Sequence, residues 1–191
     1  KNLSIINAVA LRIPTKNLFS LVNSPSVNYV SLDAVVKKTD TFTVSHTLAD
    51  TANVNYGVTG KGITVAVVDS GVAASNDFKA GTKSRVLASV NFAGDPGTDD
   101  KYGHGTHVAG IIGGNGADST GLNYFKTYTG VAPSANLVSV RVLDATGSGQ
   151  VSNVIAGLQW VLSKQATYKI RIVNLSMGHL VGESYTTDPL C

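Results

Sequence analysis

The stretch ITVAVVDSG, residues 63–71, decides the fold class of this chain. Apolar or β-branched residues run without interruption over residues 63–68, and such a run is typical of a parallel strand that is covered on both faces. The run ends in Asp69, which is followed directly by Ser70 and Gly71. In sheets of this kind ligands bind outside the carboxyl ends of the strands. The stretch therefore predicts a central buried strand with Asp69 at its functional edge.

Downstream of this strand, strand and helix patterns alternate. Apolar strand patterns occupy residues 86–92, 137–143 and 170–175. Between them, apolar residues recur at helical spacing in residues 105–113 and 151–165. This alternation predicts an α/β fold with a parallel, doubly wound sheet.

Upstream, residues 1–38 carry the pattern of a smaller unit. We predict a strand over residues 5–13, a short helix capped by Thr15, and a second strand over residues 27–36. This amounts to half of a small α+β unit, which is too small to hold a core alone.

The segment between the two parts, residues 37–62, is polar and contains glycine. Its pattern predicts a linker, a short helix near residues 47–53, and a turn near residues 57–62. We therefore expect a boundary between the small unit and the sheet in this segment.

Composition limits the classes of function. The chain has 191 residues, of which 43% are hydrophobic and 14% charged, as is typical of a folded globular protein. Its basic residues are scattered and its net charge is only +3, so we expect no nucleic-acid partner. The sequence has no run near the roughly 18 apolar residues of a membrane helix, so we expect no membrane partner. The one cysteine, Cys191, excludes an internal disulfide within this sequence.

The octapeptide GHGTHVAG, residues 103–110, places His104 where a polar loop turns into an apolar helix. Free N–H groups and the dipole at a helix start disfavour positive charge, so an imidazole there stays neutral and can accept a proton near pH 7. Taken singly, His104 is better explained as a helix cap, and Asp69 as a turn residue. Together, an acid and an imidazole one strand–helix crossing apart predict a general-base site. We expect His107 to be buried and hydrogen-bonded rather than a metal ligand.

VAVVDSG and GHGTHVAG, in this order and spacing, resemble the aspartate and histidine motifs of the subtilisin-like serine proteases, the subtilases. Residues 130–160 resemble the segment that leads to a substrate-binding edge of that family, and IVNLSMG, residues 172–178, resembles the wall of its specificity pocket. NAVALRIP to VNYVSLDAVV, residues 7–36, resembles the second half of its propeptide. The resemblance covers nearly the whole chain. It implies an incomplete subtilisin-like doubly wound, mostly parallel sheet that is preceded by half of a small α+β propeptide unit.

The same resemblance implies a division of the chain. Residues 1–38 correspond to a propeptide remnant that inhibits the enzyme and assists its folding. Residues 39–62 correspond to a linker and the mature amino-terminal segment, and residues 63–191 to the amino-terminal part of the catalytic domain. We therefore expect maturation by cleavage between about Val36 and Thr43.

The resemblance also implies roles for single residues. Asp69 would orient His104 and stabilise its imidazolium, and His104 would be the general base of a serine endopeptidase that acts through an acyl-enzyme. Residues 147–149 and 176–178 match the two edges of the family's cleft, the first of which pairs with an extended substrate backbone, although on its own the first segment is better explained as a surface turn. These residues are Gly147, Ser148, Gly149, Ser176, Met177 and Gly178.

The family's third motif, Gly-Thr-Ser before small residues that open a helix, is absent from these 191 residues, as is the asparagine of its oxyanion hole. We therefore expect a fragment without peptidase activity of its own, whose serine motif lies elsewhere in a precursor or on a second chain. The alternative is a catalytically inactive, peptide-binding pseudoprotease. A Rossmann-type nucleotide-binding domain is disfavoured because residues 103–105, GHG, have no third glycine at the required offset.

Calcium is common in the family, although no cofactor takes part in its chemistry. Asp77 matches a calcium-ligating position, and residues 113–129 would form the partner loop, in which Asn115, Asp118 and Asn123 offer oxygens. The alternative is a solvated surface acid beside a polar turn. The resemblance further implies a secreted protein whose partners are polypeptide substrates and its own propeptide.

Overall fold

The computed structural model describes residues 1–38, 47–124 and 126–190; for residues 35–38 it describes the backbone only. The amino-terminal region contains two short strands, one helix and a third strand. These are β1 (Asn2–Leu3), β2 (Ala8–Val9), α1 (Leu18–Val22) and β3 (Val35–Lys38). Strands β1 and β2 form an antiparallel hairpin.

Two expectations for this region were wrong. The strand over residues 5–13 is interrupted because Ser4–Ile6 form a 3-10 turn and Asn7 takes a left-handed backbone conformation with φ of 51°. Asparagine tolerates this conformation better than most residues, so the chain reverses there. Thr15 opens a 3-10 turn before α1 and does not cap the helix through its side chain.

The predicted strand over residues 27–36 is also shorter and later than expected, since only Val35–Lys38 form β3. The strand is confined to these residues because only they pair with two short strands from later in the chain, residues 149–150 and 177–178. The predicted linker lies in large part outside the described residues. The predicted helix and turn are present as α2 (Ala49–Tyr56), which ends at Gly57 in a left-handed conformation with φ of 65°.

The larger unit carries the remaining elements in chain order. They are β4 (Thr64–Asp69), β5 (Lys79–Ala80), β6 (Lys83–Ser84), β7 (Val86–Asn91), α3 (His104–Gly113), β8 (Asn136–Arg141), β9 (Gly149–Gln150), α4 (Val151–Tyr168), β10 (Ile170–Leu175) and β11 (Met177–Gly178). Strands β5 and β6 form a small antiparallel hairpin.

The central sheet has the strand order β10-β4-β8-β7, and every neighbouring pair is parallel. All six residues of β4 are buried, as the continuous apolar run predicts for a strand covered on both faces. Helices cover the two faces separately. Val65 and Val67 of β4 pack with α3, whereas Ala66 and Val68 pack with α4. The predicted doubly wound α/β sheet is therefore confirmed.

A third sheet contains β3 as its middle strand, in the order β11-β3-β9, and both pairings are antiparallel. This sheet joins the amino-terminal region to the larger unit near the carboxyl edge of the central sheet. None of the helices in the described parts of the chain is both long and apolar enough to span a membrane.

Candidate active site

Asp69 and His104 meet at the carboxyl edge of the central sheet. Asp69 is the last residue of β4 and is fully buried, and His104 is the first residue of α3. His104 Nδ1 lies 2.8 Å from Asp69 Oδ1 and 3.0 Å from Oδ2. An ionised carboxylate only accepts hydrogen bonds, so it fixes the imidazole as the tautomer that carries its proton on Nδ1. The structure thus brings together the acid and the imidazole that the sequence nominated.

The environment of Asp69 opposes ionisation in part. Burial raises the pKa of the Asp69 carboxyl, while hydrogen bonds from His104 and from the Ser70 N–H act in the opposite direction. The Ser70 N–H donates to Asp69 Oδ1 at 2.7 Å. Desolvation penalises the charged form of the carboxyl, and these hydrogen bonds stabilise that form.

Glycine allows the helix start to approach the end of β4. Gly103, directly before the helix, has φ of 92°, a left-handed conformation that costs glycine little. A Cβ atom at Gly105 would lie 2.2 Å from the carbonyl oxygen of Gly71, so any side chain there would force the two segments apart. The small residues of GHGTHVAG therefore set the contact between the two candidate catalytic side chains.

The other imidazole nitrogen of His104 is available for proton transfer. Nε2 is buried, and no hydrogen-bond partner for it is found among the described residues. A buried polar atom without a partner is uncommon and is often connected with function. With Nδ1 protonated, Nε2 is the nitrogen that accepts a proton.

His107 does not behave as expected, because it is exposed rather than buried. The buried stripe of α3 runs through His104, Gly105, Val108 and Ala109, and His107 lies beside that stripe. In the described parts of the chain, no group of three or more His, Cys, Asp or Glu side chains is placed to hold a metal ion.

The predicted cleft edges flank β3. On one side Val36 pairs with Gly149 and Val35 with Gln150; on the other, Lys37 pairs with Gly178 and Lys38 with Met177. An extended segment of this chain therefore lies between the two edges that the sequence nominated for an extended substrate.

The other nominated cleft residues lie next to these ladders. Gly147 and Ser148 form the turn before β9, where the Gly147 N–H donates to the Asp144 carbonyl at 3.0 Å. Ser176 lies between β10 and β11, and its Oγ accepts a hydrogen bond from Asn174 Nδ2 at 2.9 Å. Ser176 Oγ thus has a partner other than His104.

Asp33 makes a contact that the sequence reasoning missed. Its carboxylate accepts hydrogen bonds from the Ser152 N–H at 2.7 Å and from Ser152 Oγ, at the start of α4. Next to it, the Ala34 carbonyl accepts from the Val151 N–H at 2.9 Å. The residues before β3 therefore cap the helix that follows the cleft strand β9. No local pattern signals this role, since Asp33 and Ser152 are 119 positions apart.

Asp100 is a second residue that the sequence reasoning missed; it is half-buried and heavily hydrogen-bonded. It accepts hydrogen bonds from Ser70 Oγ and from backbone N–H groups at the start of α3. A signal existed in the sequence, because an aspartate shortly before a helix is a typical capping residue.

Hydrogen bonds join the residues around Asp77, which the sequence nominated for calcium. Asp77 Oδ1 accepts from the Asp118 N–H at 2.8 Å, and Asp118 Oδ1 and Oδ2 accept from Asn76 and Ser75. Asn115 Oδ1 accepts from the Ala117 N–H at 3.0 Å. Three of the four nominated residues, Asp77, Asn115 and Asp118, thus accept hydrogen bonds through at least one side-chain oxygen. No step proposed below depends on calcium.

A cation is already present next to this region. The buried guanidinium of Arg85 donates to the carbonyl oxygens of Asp77, Gly113 and Ala135 at 2.5 to 2.6 Å. This side chain links the Asp77 loop to the end of α3 and to the start of β8.

A model of the subtilase family matches residues 60–189, which include the aspartate motif, the histidine motif and both cleft edges. The chain belongs to the subtilase family. An alkaline protease of Shouchella clausii is 34% identical over 177 residues, which cover 91% of this chain and 42% of that protein. Subtilisin E of Bacillus subtilis (strain 168) is 34% identical over 189 residues, covering 96% and 45%. Subtilisin Savinase of Lederbergia lenta is 40% identical over 125 residues, covering 65% and 40%.

The family assignment confirms the resemblance on which the sequence analysis relied. The chain spans less than half the length of these three relatives.

Proposed function

We propose that this subtilase chain contributes two members of a catalytic triad, Asp69 and His104, to a serine endopeptidase. The observation that carries the proposal is the hydrogen bond between His104 Nδ1 and Asp69, which leaves Nε2 buried and unpartnered among the described residues. An imidazole held in this tautomer is ready to accept a proton from a serine hydroxyl.

In this proposal the serine lies outside the 191 residues, further along the precursor or on a second chain. His104 Nε2 takes the proton from the serine Oγ as that oxygen attacks the scissile carbonyl, and later gives it to the leaving amine. Asp69 holds the tautomer and stabilises the imidazolium that forms between the two steps.

Polypeptide substrates would bind as β3 does. Backbone hydrogen bonds to Gly149 on one edge, and to Met177 and Gly178 on the other, would hold an extended chain whatever its side chains. Gly147, Ser148 and Ser176 would shape the ends of the cleft. The pairing of β3 with both edges supports this proposal, because it occupies them with an antiparallel strand.

We also propose that residues 1–38 are a propeptide remnant, residues 39–62 a linker and mature start, and residues 63–191 the amino-terminal part of a secreted catalytic domain. β3 would then block the cleft until the chain is cut between about Val36 and Thr43. Amino-terminal sequencing of the matured full-length protein tests this, and a mature start upstream of Asn28 would overturn it.

Peptide hydrolysis tests the activity itself. We expect the full-length protein to cleave casein and to lose that activity in His104→Ala, while the isolated 191-residue chain is inactive. Hydrolysis by the isolated chain that disappears in His104→Ala would show that the nucleophile lies within these residues.

The peptide-binding pseudoprotease is the second candidate, because strand pairing in the cleft needs no serine. An organophosphorus probe that reacts with activated serines separates the two. Labelling of the full-length protein, and its loss in His104→Ala, selects the protease; peptide binding without labelling selects the pseudoprotease.

A further inference from the structure

Asp100 is the centre of a hydrogen-bond network between the end of β4 and the start of α3. Its Oδ1 accepts from Ser70 Oγ at 2.8 Å, from the Gly103 N–H at 2.8 Å and from the Tyr102 N–H at 3.2 Å. Its Oδ2 accepts from the N–H and the Oγ1 of Thr106 at 2.8 and 2.6 Å. One carboxylate thus receives five hydrogen bonds from donors on both sides of His104.

The network continues to Asp69. Ser70 Oγ donates to Asp100 and also accepts from the Gly105 N–H at 2.9 Å, while the Ser70 N–H donates to Asp69. Both residues that flank His104, namely Gly103 and Gly105, therefore have their N–H groups fixed by Asp100 or by its partner Ser70.

This arrangement replaces the usual cap of the helix. Gly103 precedes α3 and has no side chain that could accept from the first N–H groups of the helix. Asp100 reaches these groups from three positions upstream, and its charge is favourable at a helix amino terminus. Burial by itself would raise the pKa of Asp100, but the hydrogen bonds from Thr106, Gly103 and Ser70 outweigh it and leave the pKa lowered.

We propose that Asp100 is a positioning residue for His104, which keeps the imidazole within hydrogen-bond distance of both oxygens of Asp69. The hydrogen bonds of Asp100 in the described structure go to residues around His104 and not to the proposed substrate edges β9 and β11, so we infer that it acts through the histidine. Its effect on catalysis rests on the proposed function, whereas its effect on the geometry of His104 does not.

The first test uses the 191-residue chain and needs no activity. In Asp100→Asn the new NH2 group must face the N–H donors of Thr106 or of Gly103, so the network cannot form completely. We expect the proton NMR resonance of His104 Nδ1–H, assigned by its loss in Asp69→Asn, to weaken or vanish in Asp100→Asn. The matched control is Asp99→Asn, which removes the neighbouring exposed acid and should leave the resonance unchanged.

A folded Asp100→Asn variant with an unchanged Nδ1–H resonance would overturn the inference. Circular dichroism shows whether that variant folds. If it does not, Thr106→Val and Thr106→Ser decide the question. Valine removes the hydroxyl that donates to Asp100, and serine keeps it. We expect the resonance to broaden in Thr106→Val only; equal spectra for the two variants would contradict the proposal.

The second test uses the full-length protein with peptide substrates. We expect Asp100→Asn to lower kcat by about 100-fold, the size of loss that a small misplacement of a reacting group produces, with KM unchanged. A raised KM with unchanged kcat would refute the positioning role. If the wild-type protein has no peptidase activity, the proposed function fails, and the NMR result alone then decides the role of Asp100.

Discussion

Replacing Asp33 by alanine tests whether the residues before β3 cap α4, the helix that follows β9. The substitution removes the acceptor for two hydrogen bonds at the start of α4, from the N–H and the Oγ of Ser152. Loss of such a cap costs about 1 kcal/mol, and loss of a negative charge near a helix amino terminus costs about 0.3 to 1 kcal/mol more. We expect Asp33→Ala to lower the free energy of unfolding by about 1 to 2 kcal/mol.

Urea unfolding of the 191-residue chain, followed by circular dichroism, measures this change. Asp33→Asn is the matched control, since its one oxygen can still accept from the Ser152 N–H and its NH2 group can donate to Ser152 Oγ, so that the main loss is the charge. It should lose no more than about 1 kcal/mol, and therefore lie between the wild type and Asp33→Ala. An Asp33→Ala variant within about 0.5 kcal/mol of the wild type would refute the reasoning, because surface substitutions without a structural role fall in that range.

The remaining predictions concern the candidate site and its surroundings. In the full-length protein, Asp69→Asn should lower kcat about 10⁴-fold in a peptide-hydrolysis assay, because the wrong tautomer of His104 is favoured; a loss below tenfold would contradict the assignment. Because folding lowers the pKa of Asp100 below its ordinary value of 3.8, its contribution to stability is present above that pH and is lost as the pH falls. Urea unfolding between pH 5 and pH 2 should accordingly show a smaller pH slope for Asp100→Asn than for the wild type, and equal slopes would argue against it. Since Asp77 and Asp118 already accept hydrogen bonds from neighbouring N–H groups, we expect exchange of calcium chloride for EGTA to shift the melting temperature of the chain by less than about 2 °C. A larger fall that Asp77→Asn abolishes would support the calcium site that the family resemblance implies.

The central sheet was predictable because its signals are local and strong. The continuous apolar run of β4 and the alternation of strands and helices each follow from neighbouring residues, and β10 has the predicted bounds, Ile170–Leu175. The contact between Asp69 and His104 was also predictable, because parallel strands place their carboxyl ends at one edge.

The amino-terminal region was predicted less well. Its backbone is set by partners that are remote in sequence, so β3 forms only where Gly149 and Met177 reach it. Asn7 reverses the chain within a segment whose apolar residues favour a strand.

Two polar contacts were missed for related reasons. Asp33 is recognised only through Ser152, which is far away in the chain. Asp100 receives its hydrogen bonds from backbone groups whose direction depends on how α3 begins. His107 was misjudged because the position of the buried stripe depends on where α3 packs against β4.

Because β3 lies between β9 and β11, a peptide that binds to these two edges must compete with β3 for the same backbone hydrogen-bonding groups. A strand tied to its own sheet edges by a short tether meets them at an effective concentration on the order of millimolar. A free peptide that pairs with Gly149 and Gly178 must therefore outcompete a neighbour that dilution does not remove. If residues 1–38 are a propeptide as proposed, cutting the chain after β3 would remove that advantage, because the strand would then compete only at its bulk concentration. Opening of the cleft would need that cut and the departure of β3, but no rearrangement of the central sheet, to which β3 does not belong.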